Sequence, residues 1–127
     1  MRPTSLREAV DRIIEGYDFF HATNEFLDEF YLAAHAERQR MIVEEPRLTG
    51  VAFQDAYVGA MGEHLARRWG LDIPSWTEDP RRFLEEPHFP RLLSRLVLLC
   101  DSPIAFRRRL IFTEAKPLRR ARFPRER

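Results

Sequence analysis

An all-α fold, a single-domain orthogonal bundle of about five to six helices, is what this 127-residue sequence predicts, with a helical domain over residues 1–114 and a basic, partly irregular C-terminal tail over residues 115–127. Three observations lead there. Apolar residues recur three and four apart along most of the chain, no stretch alternates apolar and polar residues for more than a few positions, and no repeat of about 20 to 50 residues is present. A hydrophobic fraction of 44% suffices for one core, and a chain of this length buries roughly two-thirds of its unfolded surface.

Ser5 followed by Glu8 is a capping box, and Leu6, Val10, Ile13, Tyr17 and Phe20 then mark the apolar face of a first helix. Thr23 or Asn24 is suited to cap a second, in which Leu27, Phe30, Ala34 and Met41 form the stripe up to Pro46. A loop at 46–50 precedes a third helix from about Phe53, presenting Tyr57, Met61, Leu65 and Trp69 and ending at Gly70, where a left-handed cap belongs. Gly59 and Gly62 inside it cost about 1 kcal/mol each relative to alanine unless a neighbouring backbone packs closely, so a helix should cross there. Leu71–Trp76 reads as a connector. Thr77 then caps a short helix with Glu78, Asp79 and Pro80 in its first turn, ending near Pro87. From Arg91 the run Leu92, Leu93, Leu96, Val97, Leu98, Leu99, Cys100 is apolar almost all round and predicts the most buried helix. Asp101 or Ser102 with Pro103 starts a last short helix through Arg109, and from Ala115 the pattern decays into an irregular or mobile tail.

Catalytic and metal-binding patterns are sparse. One cysteine, Cys100, excludes an internal disulfide and a four-cysteine metal site, and its apolar surroundings suit a small buried hydrophobe. The histidines His21, His35, His64 and His88 form no metal motif. Asp18 and His21 are spaced like one carboxylate–imidazole pair of a di-metal bundle, which needs two such pairs and further carboxylates. Arg82 and His88 have a spacing found in some helical ribonucleases, but Pro87 interrupts the segment. Five glycines form no phosphate-binding loop. The sequence therefore predicts no catalytic residues, no metal and no cofactor. The first eleven residues hold no apolar run and no stretch approaches about 18 apolar residues, which predicts a soluble cytoplasmic protein without membrane partners.

Charge is the informative feature. Residues 103–127 hold nine basic residues against two acidic ones, a balance of +7, while the other 102 residues sum to −6. Such a dipolar chain attracts an acidic protein, a nucleic acid or a second copy of itself, the last giving a homodimer. Arg107, Arg108 and Arg109 follow Phe106 directly and project over most of a short helix, so some must reach outward. Either they neutralise the acidic body, Glu44 and Glu45 or Glu85 and Glu86 being the candidates, at about 0 to 1 kcal/mol per exposed pair, or they grip a phosphate backbone or an acidic protein surface. Arg107, Arg108, Arg109, Arg119 and Arg120, with Trp76 and Phe83 as aromatic anchors, form the candidate partner-binding set.

Four blocks carry a resemblance: Glu25-Phe26-Leu27-Asp28-Glu29-Phe30-Tyr31, then Glu63-His64-Leu65-Ala66-Arg67-Arg68, then Trp76-Thr77-Glu78-Asp79-Pro80-Arg81-Arg82-Phe83, and Ser102 to Arg109 with Ile111 and Phe112. Together they are similar to a group of uncharacterised actinobacterial helical domains, commonly found after an N-terminal helix-turn-helix in transcriptional regulators. The resemblance implies a regulatory or antitoxin-like, non-enzymatic interaction domain, with a nucleotidyltransferase-like toxin as one kind of partner. Residues 1–24 are too short for the helix-turn-helix, which turns the expectation from operator reading toward protein binding. Nucleic-acid binding through the arginine segment, and a small helical hydrolase or nuclease, are the alternatives.

Overall fold

Ser5 opens the first helix as its spacing to Glu8 predicts. In the computed structural model, which describes residues 1–89 and 101–120, its hydroxyl accepts the Glu8 amide at 3.0 Å and the Glu8 carboxylate accepts the Thr4 amide at 3.1 Å. The resulting α1 (Leu6–Ile14) buries Leu6, Ala9 and Val10 completely. It stops there, because Gly16 adopts φ +114° and turns the chain. Tyr17 and Phe20, expected on its buried face, lie beyond it, about half exposed.

The second helix is capped by Asp18 rather than by Thr23 or Asn24. α2 (Phe19–Leu32) begins with the Asp18 carboxylate accepting the His21 amide at 3.0 Å, where an anion also suits the helix dipole. The long stripe expected up to Pro46 is split in two. Ala33 and Ala34 are extended, with ψ near 151° and 152°, and α3 (His35–Val43) follows. The cause lies five residues on: buried Arg38 donates to the carbonyls of Phe30 and Tyr31 at 3.0 and 3.1 Å, satisfying acceptors that the end of α2 leaves over.

These three helices form one compact unit, Met1–Thr49 with the chain from Leu118 on; Gly50–Pro117 form a second. In the first, Phe26, Phe30 and Ile42 are fully buried along with the α1 residues. The tail is irregular as expected, but through Arg120 it is held rather than mobile. Leu118 is 3% exposed, its carbonyl accepts the Tyr31 hydroxyl at 2.9 Å, and Arg120 forks onto Asp28 at 2.9 and 3.2 Å.

The second unit is built on α4 (Ala52–Trp69), ended by Gly70 in the left-handed region, within a residue of its predicted bounds. The short helix expected after Thr77 is replaced by two 3-10 turns, Ser75–Glu78 and Pro80–Arg82. Pro80 forbids helical backbone at the residue before it, and Asp79 accordingly sits extended and caps the second turn through the Arg81 amide. From Leu84 to Phe89 the backbone is irregular. The last helix is a single turn, Ile104–Arg107, followed by Leu110 at φ 63°, a conformation costing a leucine about 1 kcal/mol. That kink lets the Leu110 carbonyl accept the His88 amide and the His88 carbonyl accept the Phe112 amide, forming an isolated parallel bridge. No strand occurs among the described residues, and the fold class is all-α. The apolar run from Leu92 to Cys100 lies outside the described residues. None of the described helices is long and apolar enough to cross a membrane.

Candidate functional site

The two glycines of α4 explain what packs on it. A Cβ at Gly59 would stand 2.9 Å from Cβ of Arg82 and 3.0 Å from Nε of Arg109; one at Gly62 would stand 2.7 Å from the Trp76 ring and 3.0 Å from the Thr77 methyl. A close approach does occur here, but not by the helix expected. Its contacting atoms are side chains of the 3-10 turns and of the arginine run.

Between these side chains the Glu63 carboxylate is fully buried and accepts from three guanidinium groups: Arg67 at 2.7 Å, Arg108 at 2.9 Å to each oxygen, and Arg109 at 2.6 Å. Arg109, itself fully buried, also donates to the carbonyls of Ala105 at 2.7 Å and Thr77 at 2.6 Å, and lies 4.5 Å over the Phe83 ring. Arg108 bridges outward to Glu78 at 2.7 Å. Arg82, fully buried, rests 4.9 Å over the Trp76 ring. Burial alone would push the Glu63 carboxyl up. Bonds from Arg109 and Arg67, the charge of Arg109 and the bonds of Arg108 outweigh it and hold the carboxyl below its ordinary range. Burial lowers Arg109 against the pull of Glu63, and Glu78 followed by Glu63 raises Arg108.

The seven residues singled out in the sequence therefore separate. Trp76 at 7% exposure and Arg109 at 0% belong to the interior, which corrects the expectation that they present a partner surface. Phe83 is half-buried beneath the guanidinium groups of Arg108 and Arg109. Arg108 is engaged by two acids and Arg120 by Asp28. Arg107 and Arg119 are exposed and make no ion pair with any described residue. The acids that neutralise the run are Glu63 and Glu78, not the acid pairs at 44–45 or 85–86; Glu44 instead pairs with Arg7 at 2.9 Å. Sequence reasoning passed over Glu63, Thr77 and Arg82 as parts of this cluster. The available signal was Glu63 itself, an acid on the small-residue side of a helix, next to Gly62 and one turn from Gly59.

The histidines gather into no site. Asp18 uses its carboxylate as a helix cap, His21 is largely exposed beside Glu25 at 3.7 Å, and Arg82 is buried while His88 is exposed. Among the described residues no group of three metal-capable side chains occurs. His64 packs edge-on to Phe106 at 5.7 Å, and burial, then the charge of Arg68, push it down to about 4. Because the unfolded imidazole takes up its proton near 6.5, stability is complete above that pH and lost as pH falls toward 4, by on the order of 3 kcal/mol. Urea midpoints measured from pH 7 to 4 should show this slope, and His64→Leu should flatten it. An equal slope in the variant would remove His64 as its source.

No family model matches the chain, and no curated protein or solved structure does. The chemistry of the surface is then the guide to function, and among the described residues one turn sets an exposed apolar side chain beside an exposed arginine of the run singled out in the sequence. On the turn Ile104–Arg107, the aliphatic side chain of Ile104 is 44% exposed and Arg107 is exposed one helical turn away, while the following two arginines are locked against Glu63.

Proposed function

We propose that this chain is a non-enzymatic protein-interaction domain of regulatory or antitoxin-like type, acting in a two-protein system on an acidic partner surface. The observation that supports it is the pairing of an exposed apolar residue, Ile104, with an exposed cation, Arg107, on one rigid turn. Apolar contact supplies affinity at the centre of an interface, and an arginine beside it supplies a directed fork for carboxylates. The turn is preorganised, because Arg108 and Arg109 fix it to α4 from beneath. Little ordering entropy would then be lost on binding.

The test is association in the native host, using the N-terminally tagged full chain and the same chain carrying Ile104→Asp and Arg107→Glu. A protein recovered in stoichiometric amount with the wild type, and at least tenfold less with the variant, is the expected result. Unchanged recovery from the variant would overturn the surface. Recovery of nucleic acid that leaves as salt rises would overturn the choice of partner, since phosphate contacts weaken steeply with salt.

A further inference from the structure

The segment Leu118-Arg119-Arg120 is seated on α2 by specific contacts. Leu118 is buried, its carbonyl accepts the Tyr31 hydroxyl, and the guanidinium of Arg120 forks onto the Asp28 carboxylate. Asp28 and Tyr31 stand three apart on α2, hence on one face, so this helix binds a backbone carbonyl and a cation in a fixed order, beside a leucine that is itself buried. Ser102 fixes the chain upstream by accepting the Thr113 amide at 2.8 Å. The intervening Ala115 and Lys116 are exposed, and Pro117 has no amide to donate. Pro117 is also the last residue that belongs by its contacts to the second unit; from Leu118 the chain belongs to the first.

A segment whose described contacts with α2 are a hydroxyl–carbonyl bond and an ion pair, behind a connector of this kind, can leave and return. We infer that the Asp28/Tyr31 face of α2 is a receptor site for a Leu-x-Arg segment, closed in the single chain by its own residues 118–120, and that the occupant that exchanges with it is the same segment of a second copy. A second copy brings every contact unchanged, so exchange costs only the concentration advantage of the tether. Charge complementarity points the same way: Asp28 takes a cation, and the segment that supplies Arg120 carries Arg119 beside it. This inference is independent of the Ile104–Arg107 reading.

Charge-swapped full chains test it. Asp28→Arg keeps the segment and spoils the seat; Arg120→Asp keeps the seat and spoils the segment. Each alone should run as a monomer by native mass spectrometry, while an equimolar mixture should form a one-to-one heterodimer. The chain carrying both changes restores the pair internally and should behave as the wild type does. In parallel, a peptide spanning residues 113–120 at about millimolar concentration, the scale of a short tether, should shift the α2 amide resonances of the Arg120→Asp chain and leave those of the Asp28→Arg chain unchanged. A mixture that stays monomeric, with α2 amides unmoved by the peptide, would overturn the inference. Should Arg120→Asp fail to fold, Leu118→Ala takes its place in the mixture, where the intact segment of the Asp28→Arg chain should fill the seat of the Leu118→Ala chain, and in the peptide experiment with the same outcome.

Discussion

Glu63→Ala is expected to lower folding stability by about 3 to 5 kcal/mol, the range for breaking a buried ion pair from one side. The loss comes from what stays behind. Arg109 is fully buried, and it would keep the carbonyls of Ala105 and Thr77, which balance no charge, and only the distant Glu78 carboxylate at 3.9 Å, which is half exposed and already bound to Arg108. The reverse change, Arg109→Met, should cost less, since Glu63 keeps Arg67 and Arg108 and the methionine fills part of the volume. Urea denaturation of the two single variants and of the double variant gives their coupling directly. Loss of less than about 1 kcal/mol in Glu63→Ala would show that Arg109 does not depend on the carboxylate. The pH dependence has a defined sign. The folded Glu63 carboxyl is held below its ordinary range, so its contribution is complete above the unfolded value of about 4.3 and disappears as pH falls through the folded one. Glu63→Gln should remove that acid-limb slope, and the slope from His64 at higher pH should remain.

Gly62→Ala should destabilise the protein by about 1 to 3 kcal/mol, although alanine in an ordinary helix is favoured over glycine by about 1 kcal/mol. The added methyl would stand 2.7 Å from the Trp76 ring and 3.0 Å from the Thr77 methyl, and that rigid ring is buried beneath Arg82. Gly59→Ala meets Cβ of Arg82 at 2.9 Å, an atom tied to backbone, and should behave likewise. Thermal melts of both variants check the sign, and Trp76→Phe, which shortens the ring, should recover part of the Gly62→Ala loss. A rise in melting temperature for Gly62→Ala would mean that α4 and the Trp76 turn are not packed this closely.

The helical class and α4 were legible because their causes are local: apolar spacing over eighteen residues and a glycine at the cap. The Ser5 cap was legible for the same reason. The break between α2 and α3 was not, since the residues that extend there are alanines, and the group that ends the helix is Arg38, whose role depends on folding back over Phe30. At the arginine run, spacing showed that three adjacent guanidinium groups could not face one way. Which of them turned inward was decided by Glu63, forty-six positions away from Arg109. Trp76 was read as a possible anchor because it stands beside a proline-stiffened connector; its burial follows from Gly62, whose missing side chain leaves the space it fills.

Burial of Arg109 divides one run of sequence into two regimes of ionic response. The Glu63–Arg109 pair has no solvent between its members, and mobile ions cannot screen charges they cannot approach. Arg107, two residues earlier, stands in water. Raising ionic strength should therefore leave the stability contributed by the inner pair nearly constant while weakening whatever Arg107 attracts, so that a salt titration releases a partner from a molecule that stays folded.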